Sequence, residues 1–313
     1  MMPGSSFADN KSRAATLALL AIGLASTQDA IIKAMSGTYP VYETMLIRGL
    51  TSLPILGVWL AYTRGLQALI TPLWPRLLLR ALILCSAYLA FILAIAAMPI
   101  ANMIAIYFTM PFFVAGLAGP FLGERVPLYR WIAIIAGFVG VIVMVRPGLQ
   151  AFEPASLLAL YSAFGYAVGQ MMGRNLAQRV EPLVIANWQN AVYFIFAALV
   201  GLVAQAIGFA GESHKSLAFL TRPFVWPTLQ DFLLLSAVGA LAAFAMMSFI
   251  SAYKLAESNF VAPFEYSGMV WAVLFGLLFF NDFPDLWTWG GMAIVAGAGL
   301  FMLAMDRFRF QTG

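Results

Sequence analysis

The stretch at 101–146 limits most strongly what this chain can fold into. It is apolar almost without interruption, except at the turn Gly123-Glu124-Arg125-Val126-Pro127. Each arm has about twenty apolar residues, which is the length that a helix needs to cross the hydrocarbon core of a bilayer. The stretch therefore predicts a membrane hairpin made of one helix, a short charged turn and a second helix.

The chain contains a second copy of this hairpin. A shift of 157 positions places residues 258–306 on the first copy and aligns asparagine, glycine and proline residues in order, with both turns in register. The aligned pairs include Asn102 with Asn259, Gly119 with Gly276, Pro127 with Pro284 and Gly140 with Gly297. Upstream, at a shift of 142, Gln28 aligns with Gln170 and Pro40 with Pro182. We interpret this pattern as an internal duplication, not as chance similarity between apolar segments.

The composition excludes an ordinary soluble domain. Hydrophobic residues make up 63% of the chain and charged residues 10%, against roughly half and a quarter in soluble proteins. The single cysteine, Cys85, lies in an apolar run and the single histidine, His214, in a polar connection. Neither a disulfide framework nor a Cys or His metal site is therefore expected.

The basic residues are spread singly between apolar runs, which is typical of membrane topology and not of a nucleic-acid interface. We therefore expect the lipid bilayer and a small-molecule substrate as partners, and no nucleic acid. No catalytic residue, cofactor or metal is expected, and the sequence does not indicate an oligomeric state.

Windows of about twenty residues divide the chain into about ten predicted spans, which gives an all-α integral membrane protein. The predicted spans are 14–35, 41–62, 77–98, the two arms of the first hairpin, 154–174, 182–205, 231–253 and the two arms of the second hairpin, which ends near 305. The predicted domains are an N-terminal tail at 1–13, a first five-helix repeat at 14–148, a second five-helix repeat at 154–306 and a C-terminal tail at 307–313.

The distribution of Lys and Arg predicts the orientation. With the N terminus inside, most of them lie on the cytoplasmic side, and the outer side carries only Lys33, Arg146, Lys215 and Arg222. This bias places both termini in the cytoplasm of a multi-pass protein in a bacterial-type inner (plasma) membrane. Because each repeat has an odd number of spans, the second copy enters the membrane inverted, an arrangement that recurs in secondary transporters with alternating access.

The first hairpin resembles a known family. Leu122-Gly123-Glu124-Arg125 with Pro127, Gly137-x-x-Gly140-Val141 and Pro111 are similar to the repeat signature of the drug/metabolite transporter superfamily, and more closely to that of its EamA-type ten-helix exporters. The second copy departs from the signature at Asn281-Asp282. The resemblance implies two inverted five-helix repeats that export small organic molecules through a central cavity. General likeness points to the branch of YddG-like aromatic amino-acid exporters.

Ionisable side chains inside the predicted spans are candidates for the site, because each costs roughly 2.5–3.5 kcal/mol at mid-bilayer on insertion scales. Asp29 and Lys33 share a helix face, either as an ion pair near the outer end or as groups that bind a zwitterion or take part in proton coupling. Arg48 lies too deep to reach the interface, so it forms a structural pair with Asp29 or Glu43 or binds a carboxylate. Glu265 has no basic residue within a turn of its helix. It forms an interhelical hydrogen bond in its protonated form or, like Asp29, is a proton-coupling candidate.

Neutral polar and aromatic residues complete the candidate set, since several lie too deep for an interfacial aromatic belt. The substrate-cavity candidates are Gln28, Asp29, Lys33, Arg48, Tyr88, Tyr107, Gln170, Asn187, Trp188, Asn190, Glu265, Tyr266 and Trp271. Separately, Gly165, Gly169 and Gly173 at four-residue spacing predict close helix packing, with a sliding surface as the second interpretation.

A cavity of apolar and aromatic groups with few charges suits an amphipathic solute. The sequence therefore predicts a secondary transporter that exports neutral, above all aromatic, amino acids or similar metabolites by alternating access, either coupled to protons or as a facilitator. Two alternatives stay open. One is a multidrug exporter of lipophilic cations that uses Glu265 or Asp29, and the other is a membrane enzyme or scaffold that does not transport.

Overall fold

The computed structural model describes residues 4–122, 127–146, 153–208, 214–256 and 258–312. These residues form α-helices joined by short connections, with one 3-10 helix at Leu66–Leu69. The helices are α1 (Gly4–Met35), α2 (Val41–Thr63), α3 (Trp74–Ala97), α4 (Ile100–Tyr107), α5 (Met110–Leu122), α6 (Leu128–Val145), α7 (Ala155–Ala177), α8 (Pro182–Ile207), α9 (Lys215–Thr221), α10 (Leu229–Leu255), α11 (Ser258–Glu265), α12 (Ser267–Phe280) and α13 (Leu286–Thr312).

The all-α membrane class is confirmed. Within the described ranges, nine helical segments are long and apolar enough to cross a bilayer. Helix α7 corresponds to the sixth predicted span but is not one of the nine, because glycine, serine, tyrosine and glutamine residues lower its hydropathy. Helix α1 begins at Gly4, earlier than its predicted start at Ala14, and α13 continues to Thr312. The turn at 123–126 and the connection at 147–152 lie outside the described residues.

The first arm of each hairpin is broken at the same position of the repeat. Helix α4 ends at Tyr107 and α5 begins at Met110, while α11 ends at Glu265 and α12 begins at Ser267. Met110 and Ser267 are related by the shift of 157 positions that aligns the two hairpins. The sequence predicted one continuous helix for each arm, which is wrong. Pro111 at the second residue of α5 and Pro263 inside α11 each remove a backbone donor and so weaken the continuous helix.

Packing divides the chain into two compact units that differ from the predicted repeats. Unit 1 is Met1–Ser26, Pro99–Phe152 and Phe244–Gly313, and unit 2 is Thr27–Met98 and Glu153–Ala243. Each unit therefore combines helices from both halves of the chain. The boundaries of the duplication remain a prediction from the sequence.

In unit 1, helices α6 and α13 approach each other where neither has a side chain. A Cβ atom on Gly291 would lie 2.6 Å from the carbonyl oxygen of Gly140 and 2.2 Å from the Cγ atom of Met144. A Cβ atom on Gly140 would lie 3.0 Å from the carbonyl oxygen of Gly291. Small residues allow this approach between membrane helices. The repeat alignment matches Gly140 with Gly297, so the contact does not join equivalent residues.

The ends of the same two helices are joined by an ion pair. The Nη2 atom of Arg146, directly after α6, lies 2.5 Å from Oδ2 of Asp285. The Oδ1 atom of Asp285 accepts a hydrogen bond of 2.8 Å from the backbone N–H of Thr288 and so caps α13. Burial raises the pKa of Asp285, but the hydrogen bonds from Thr288 and Arg146 outweigh it and hold this pKa below its ordinary value.

In unit 2, the glycine stripe of α7 packs against α3, which confirms the packing interpretation of its spacing. A Cβ atom on Gly165 would lie 2.7 Å from Cβ of Ala87, and one on Gly169 would lie 2.4 Å from Cδ2 of Leu84. The close approach also brings a backbone acceptor within reach of a charge. The Nε atom of Arg80 donates to the carbonyl oxygen of Gly169 at 2.9 Å.

Replacing Gly291 with alanine should destabilise unit 1, because the new methyl group meets a backbone carbonyl that cannot move aside without shifting α6. We expect a loss of about 1–3 kcal/mol, which is typical of overpacking. Gly290→Ala is the matched control, since nothing lies within 4 Å of its Cβ position. That change should be neutral or stabilising by about 0.5–1 kcal/mol. Thermal unfolding in detergent measures both variants, and equal effects would contradict the assigned contact.

Asp285→Ala removes both the cap of α13 and the partner of Arg146, and we expect it to cost about 1 kcal/mol, the usual value of a cap. Asp285→Asn keeps a capping oxygen and should cost less. Because the pKa of Asp285 is lower in the folded state, its stabilising effect is present above the unfolded-state pKa and is lost as the pH falls through the folded-state pKa. Thermal unfolding between neutral and acidic pH should therefore show a smaller pH dependence in Asp285→Asn than in the wild type.

Candidate functional site

Five side chains of unit 2 form a polar cluster around a membrane-embedded arginine. Gln28 and Asp29 come from α1, Arg48 from α2, Tyr88 from α3 and Tyr193 from α8. Arg48 is partly exposed, whereas the other four side chains are buried. We call these five residues the Arg48 cluster.

The guanidinium group of Arg48 lies over two tyrosine rings. Its Cζ atom is 5.0 Å from the ring centroid of Tyr88 and 4.6 Å from that of Tyr193. The two rings meet edge to face, with their centroids 5.2 Å apart. A desolvated cation–π contact is worth about 2 kcal/mol. The rings thus stabilise the positive charge without neutralising it.

Gln28 connects the charged groups of the cluster. Its Oε1 atom accepts from Nε of Arg48 at 3.3 Å, while its Nε2 atom donates to the hydroxyl of Tyr88 at 3.2 Å and to Oδ1 of Asp29 at 3.4 Å. The charges of Asp29 and Arg48 are close enough to interact. They nevertheless form no ion pair, because the amide of Gln28 lies between them.

Arg48 thus forms no direct ion pair with either of the two partners predicted for it. Asp29 is separated from the guanidinium by Gln28. Glu43 instead accepts from the backbone N–H of Val225 at 3.2 Å. Within the described ranges, Arg48 pairs with no carboxylate.

Neighbouring helices hold the backbone at Arg48 in place. A Cβ atom on Gly239 of α10 would lie 2.3 Å from the carbonyl oxygen of Arg48, and one on Gly49 would lie 2.9 Å from the ring of Phe194 in α8. Both glycines permit a close approach of helices. Side chains that bind a ligand need this kind of rigid support.

Three of the predicted cavity residues on α8 make packing contacts with other parts of unit 2. The amide of Asn187 donates to the carbonyl oxygen of Leu56 at 3.3 Å, and that of Asn190 accepts from Ser52 at 3.1 Å. The indole of Trp188 donates to the last carbonyl of the 3-10 helix at 3.1 Å. These bonds join α8 to α2 and to the connection that follows α2.

Two further candidates of unit 2 lie outside the Arg48 cluster. The Nζ atom of Lys33 donates to the carbonyl oxygen of Met98 at 2.7 Å, at the end of α3. Gln170 is exposed on α7. The aligned residues Gln28 and Gln170 therefore occupy different environments, one buried and one exposed.

The remaining candidates belong to unit 1, near the helix breaks. The ring of Tyr266 stacks on that of Phe108 with centroids 4.9 Å apart, so the residues at the two breaks touch. The hydroxyl of Tyr253 donates to the carboxylate of Glu265. Tyr253 lies on α10 and Glu265 on α11, so Glu265 takes part in an interhelical hydrogen bond, and its protonated form stays a prediction. Tyr107 is the last residue of α4. The ring of Trp271 lies 3.5 Å from the Cβ position of Gly23 in α1.

The sequence did not predict the role of Tyr193. Its ring contacts Arg48, and its buried hydroxyl has no hydrogen-bond partner among the described residues. A tyrosine in the middle of a long apolar helix is too deep for the interfacial belt, and this signal could have identified it.

Replacing Gln28 should destabilise unit 2 far more than replacing its aligned residue Gln170. Gln28→Leu removes three hydrogen bonds and leaves buried polar groups without partners, so we expect a loss of about 1–3 kcal/mol. Gln170→Leu changes an exposed position and should be close to neutral. Thermal unfolding of both variants in detergent tests this difference, and similar losses would contradict the bridging role of Gln28.

A multi-pass helical membrane protein with a polar cluster inside one unit and two hairpins broken at equivalent positions has the features of a secondary transporter. Residues 12–146 match the model of the EamA-like transporter family. A riboflavin transporter from Rhizobium johnstonii is 32% identical over 245 residues, which cover 78% of this chain and 75% of the relative. The chain belongs to the EamA-like transporter family, within the drug/metabolite transporter superfamily. Its similarity to these proteins identifies a transporter and not an enzyme.

Other relatives match over nearly the whole chain. An S-adenosylmethionine uptake transporter from Rickettsia prowazekii is 23% identical and covers 92% of both chains. A pseudopaline exporter from Pseudomonas aeruginosa is 26% identical over 90% of this chain and 93% of its own. A crystal structure with 20% sequence identity matches 95% of this chain and 98% of its own with a TM-score of 0.64, which supports the fold.

Proposed function

We propose that this protein is a secondary transporter of a bacterial-type inner membrane that exports small amphipathic metabolites, foremost neutral and aromatic amino acids, by alternating access. The Arg48 cluster carries this proposal. It combines a partly exposed guanidinium with the rings of Tyr88 and Tyr193. An aromatic amino acid has matching parts, since its carboxylate suits an arginine and its ring suits an aromatic surface.

The relatives support the class of substrate without defining its identity. Their names specify riboflavin, S-adenosylmethionine and pseudopaline. One of these names specifies uptake and another export. All three are small organic molecules, so the proposed amino acids fall within the range of the family.

We further propose that transport is coupled to protons, with Glu265 and Asp29 as the coupling groups. Glu265 ends α11 at the break before α12 and accepts a hydrogen bond from Tyr253. Broken helices provide coupling-ion sites in several transporter folds. Protonation of this carboxylate would alter the hydrogen bond between α10 and α11.

Counterflow into liposomes tests the proposal. We expect saturable flux of radiolabelled phenylalanine, tryptophan or leucine above protein-free liposomes, and a pH gradient should accelerate it. Glu265→Gln should remove the response to the pH gradient. A wild-type flux that is the same with and without the pH gradient would indicate a facilitator.

The same assay distinguishes the rival function. Flux of a lipophilic cation such as tetraphenylphosphonium that is lost in Glu265→Gln would favour a multidrug exporter. The absence of flux for every neutral amino acid would rule out the proposed substrate class.

A further inference from the structure

Two opposite charges in the Arg48 cluster are held apart inside a low-dielectric environment. Attraction between an aspartate and an arginine is strong there, and direct contact is the usual outcome. In this protein the two groups are connected through Gln28, which bonds to Nε of Arg48 and to Oδ1 of Asp29. Gln28 therefore holds the two side chains apart at neighbouring positions.

Gln28 cannot turn away easily from this position. Its side chain is buried, and its Nε2 atom also donates to the hydroxyl of Tyr88. A glutamine that only filled space would not need three polar partners. Its arrangement is that of a spacer between two charged groups.

The free parts of both charged groups are well defined. Tyr88 and Tyr193 lie against the guanidinium, and Gln28 occupies Nε. Arg48 is partly exposed, and its hydrogen bond to Gln28 uses Nε and not the edge with the two Nη atoms. The hydrogen bond that Gln28 donates to Asp29 likewise uses Oδ1 and not Oδ2. A guanidinium edge of this kind binds a carboxylate through two parallel hydrogen bonds.

We propose that Arg48 and Asp29 together bind the zwitterionic end of an α-amino acid, with the carboxylate on Arg48 and the ammonium on Asp29. Gln28, which is hydrogen-bonded to both side chains, keeps them at neighbouring positions. The inference rests on the proposed function, since it assigns residues to the recognition of that substrate class.

Binding of both charges has a consequence for specificity. In an α-amino acid the carboxylate and the ammonium are attached to one carbon atom, so one molecule compensates Asp29 and Arg48 at once. A simple amine or a simple acid leaves one of the two protein charges without a partner. An uncompensated charge in a buried site is costly. The site therefore selects the amino acid over analogues that lack either group.

A binding experiment on the purified full-length protein tests this selection. The labelled ligand is the neutral amino acid with the highest counterflow. Its unlabelled form and its decarboxylated and deaminated analogues are added as competitors, and the concentration of each that halves the counterflow gives its relative affinity. For phenylalanine these analogues are phenethylamine and 3-phenylpropionate. We expect the wild type to bind the amino acid at least tenfold more tightly than either analogue.

Two variants should produce a crossed pattern. Arg48→Gln should lower the affinities for the amino acid and for 3-phenylpropionate at least tenfold and should change the affinity for phenethylamine little. Asp29→Asn should lower the affinities for the amino acid and for phenethylamine and should change the affinity for 3-phenylpropionate little. Arg76→Gln, at an exposed arginine in the first turn of α3, is the matched control and should leave all three affinities unchanged. If Arg48→Gln does not fold, Arg48→Lys replaces it, because lysine keeps the charge but not the planar edge. Arg48→Lys should lower the affinities only for the two ligands that carry a carboxylate, the amino acid and 3-phenylpropionate.

The results separate the two levels of the proposal. Equal binding of all three ligands by the wild type, or a uniform loss in both variants, would overturn the zwitterion site while leaving amino-acid transport intact. The lack of binding and flux for every neutral amino acid would overturn both. The crossed pattern would support the site, because a purely structural role cannot distinguish the acid from the amine.

Discussion

A charged side chain inside a helical membrane protein has to find its partners among the neighbouring helices, because lipid offers none. Unit 2 meets this requirement in a different way for each of three cations on its helices. Arg48 uses an amide and two aromatic rings, Arg80 uses the carbonyl oxygen of Gly169, and Lys33 uses the carbonyl oxygen of Met98. The proposed contact between Arg48 and the substrate uses the part of the guanidinium that Gln28 does not occupy.

Close helix packing makes these contacts possible. The stripe on α7 lets α3 approach so nearly that Arg80 reaches a backbone carbonyl, and Gly239 brings α10 against the backbone of Arg48. In water, burial of apolar surface would drive such packing, but between membrane helices the gain comes from close van der Waals contact and hydrogen bonds. Glycine therefore serves both the stability of each unit and the positioning of its polar groups.

Unit 1 combines rigid and interrupted elements. Helices α6 and α13 meet at Gly140 and Gly291 and are joined at their ends by Arg146 and Asp285. The hairpin arms, by contrast, are broken at equivalent positions, and Phe108 and Tyr266 stack at the two breaks. Interrupted helices expose backbone groups that a continuous helix would satisfy, and transporters use such places for ions and substrates. This arrangement supports the proposed role of Glu265, which directly precedes one of the breaks.

The sequence by itself determined the membrane class, most of the spans, the duplicated hairpin and the likeness to EamA-type transporters, because hydropathy and local motifs are properties of neighbouring residues. It also placed Gln28, Asp29, Arg48 and Tyr88 among the site candidates, since polar groups inside apolar spans need a reason. Only the tertiary structure decided that Gln28 separates Arg48 from Asp29, that Tyr193 completes the cluster and that Gly140 meets Gly291 and not its aligned residue. These outcomes depend on which helix faces meet, and that choice is made between segments far apart in the chain, where no local pattern records it.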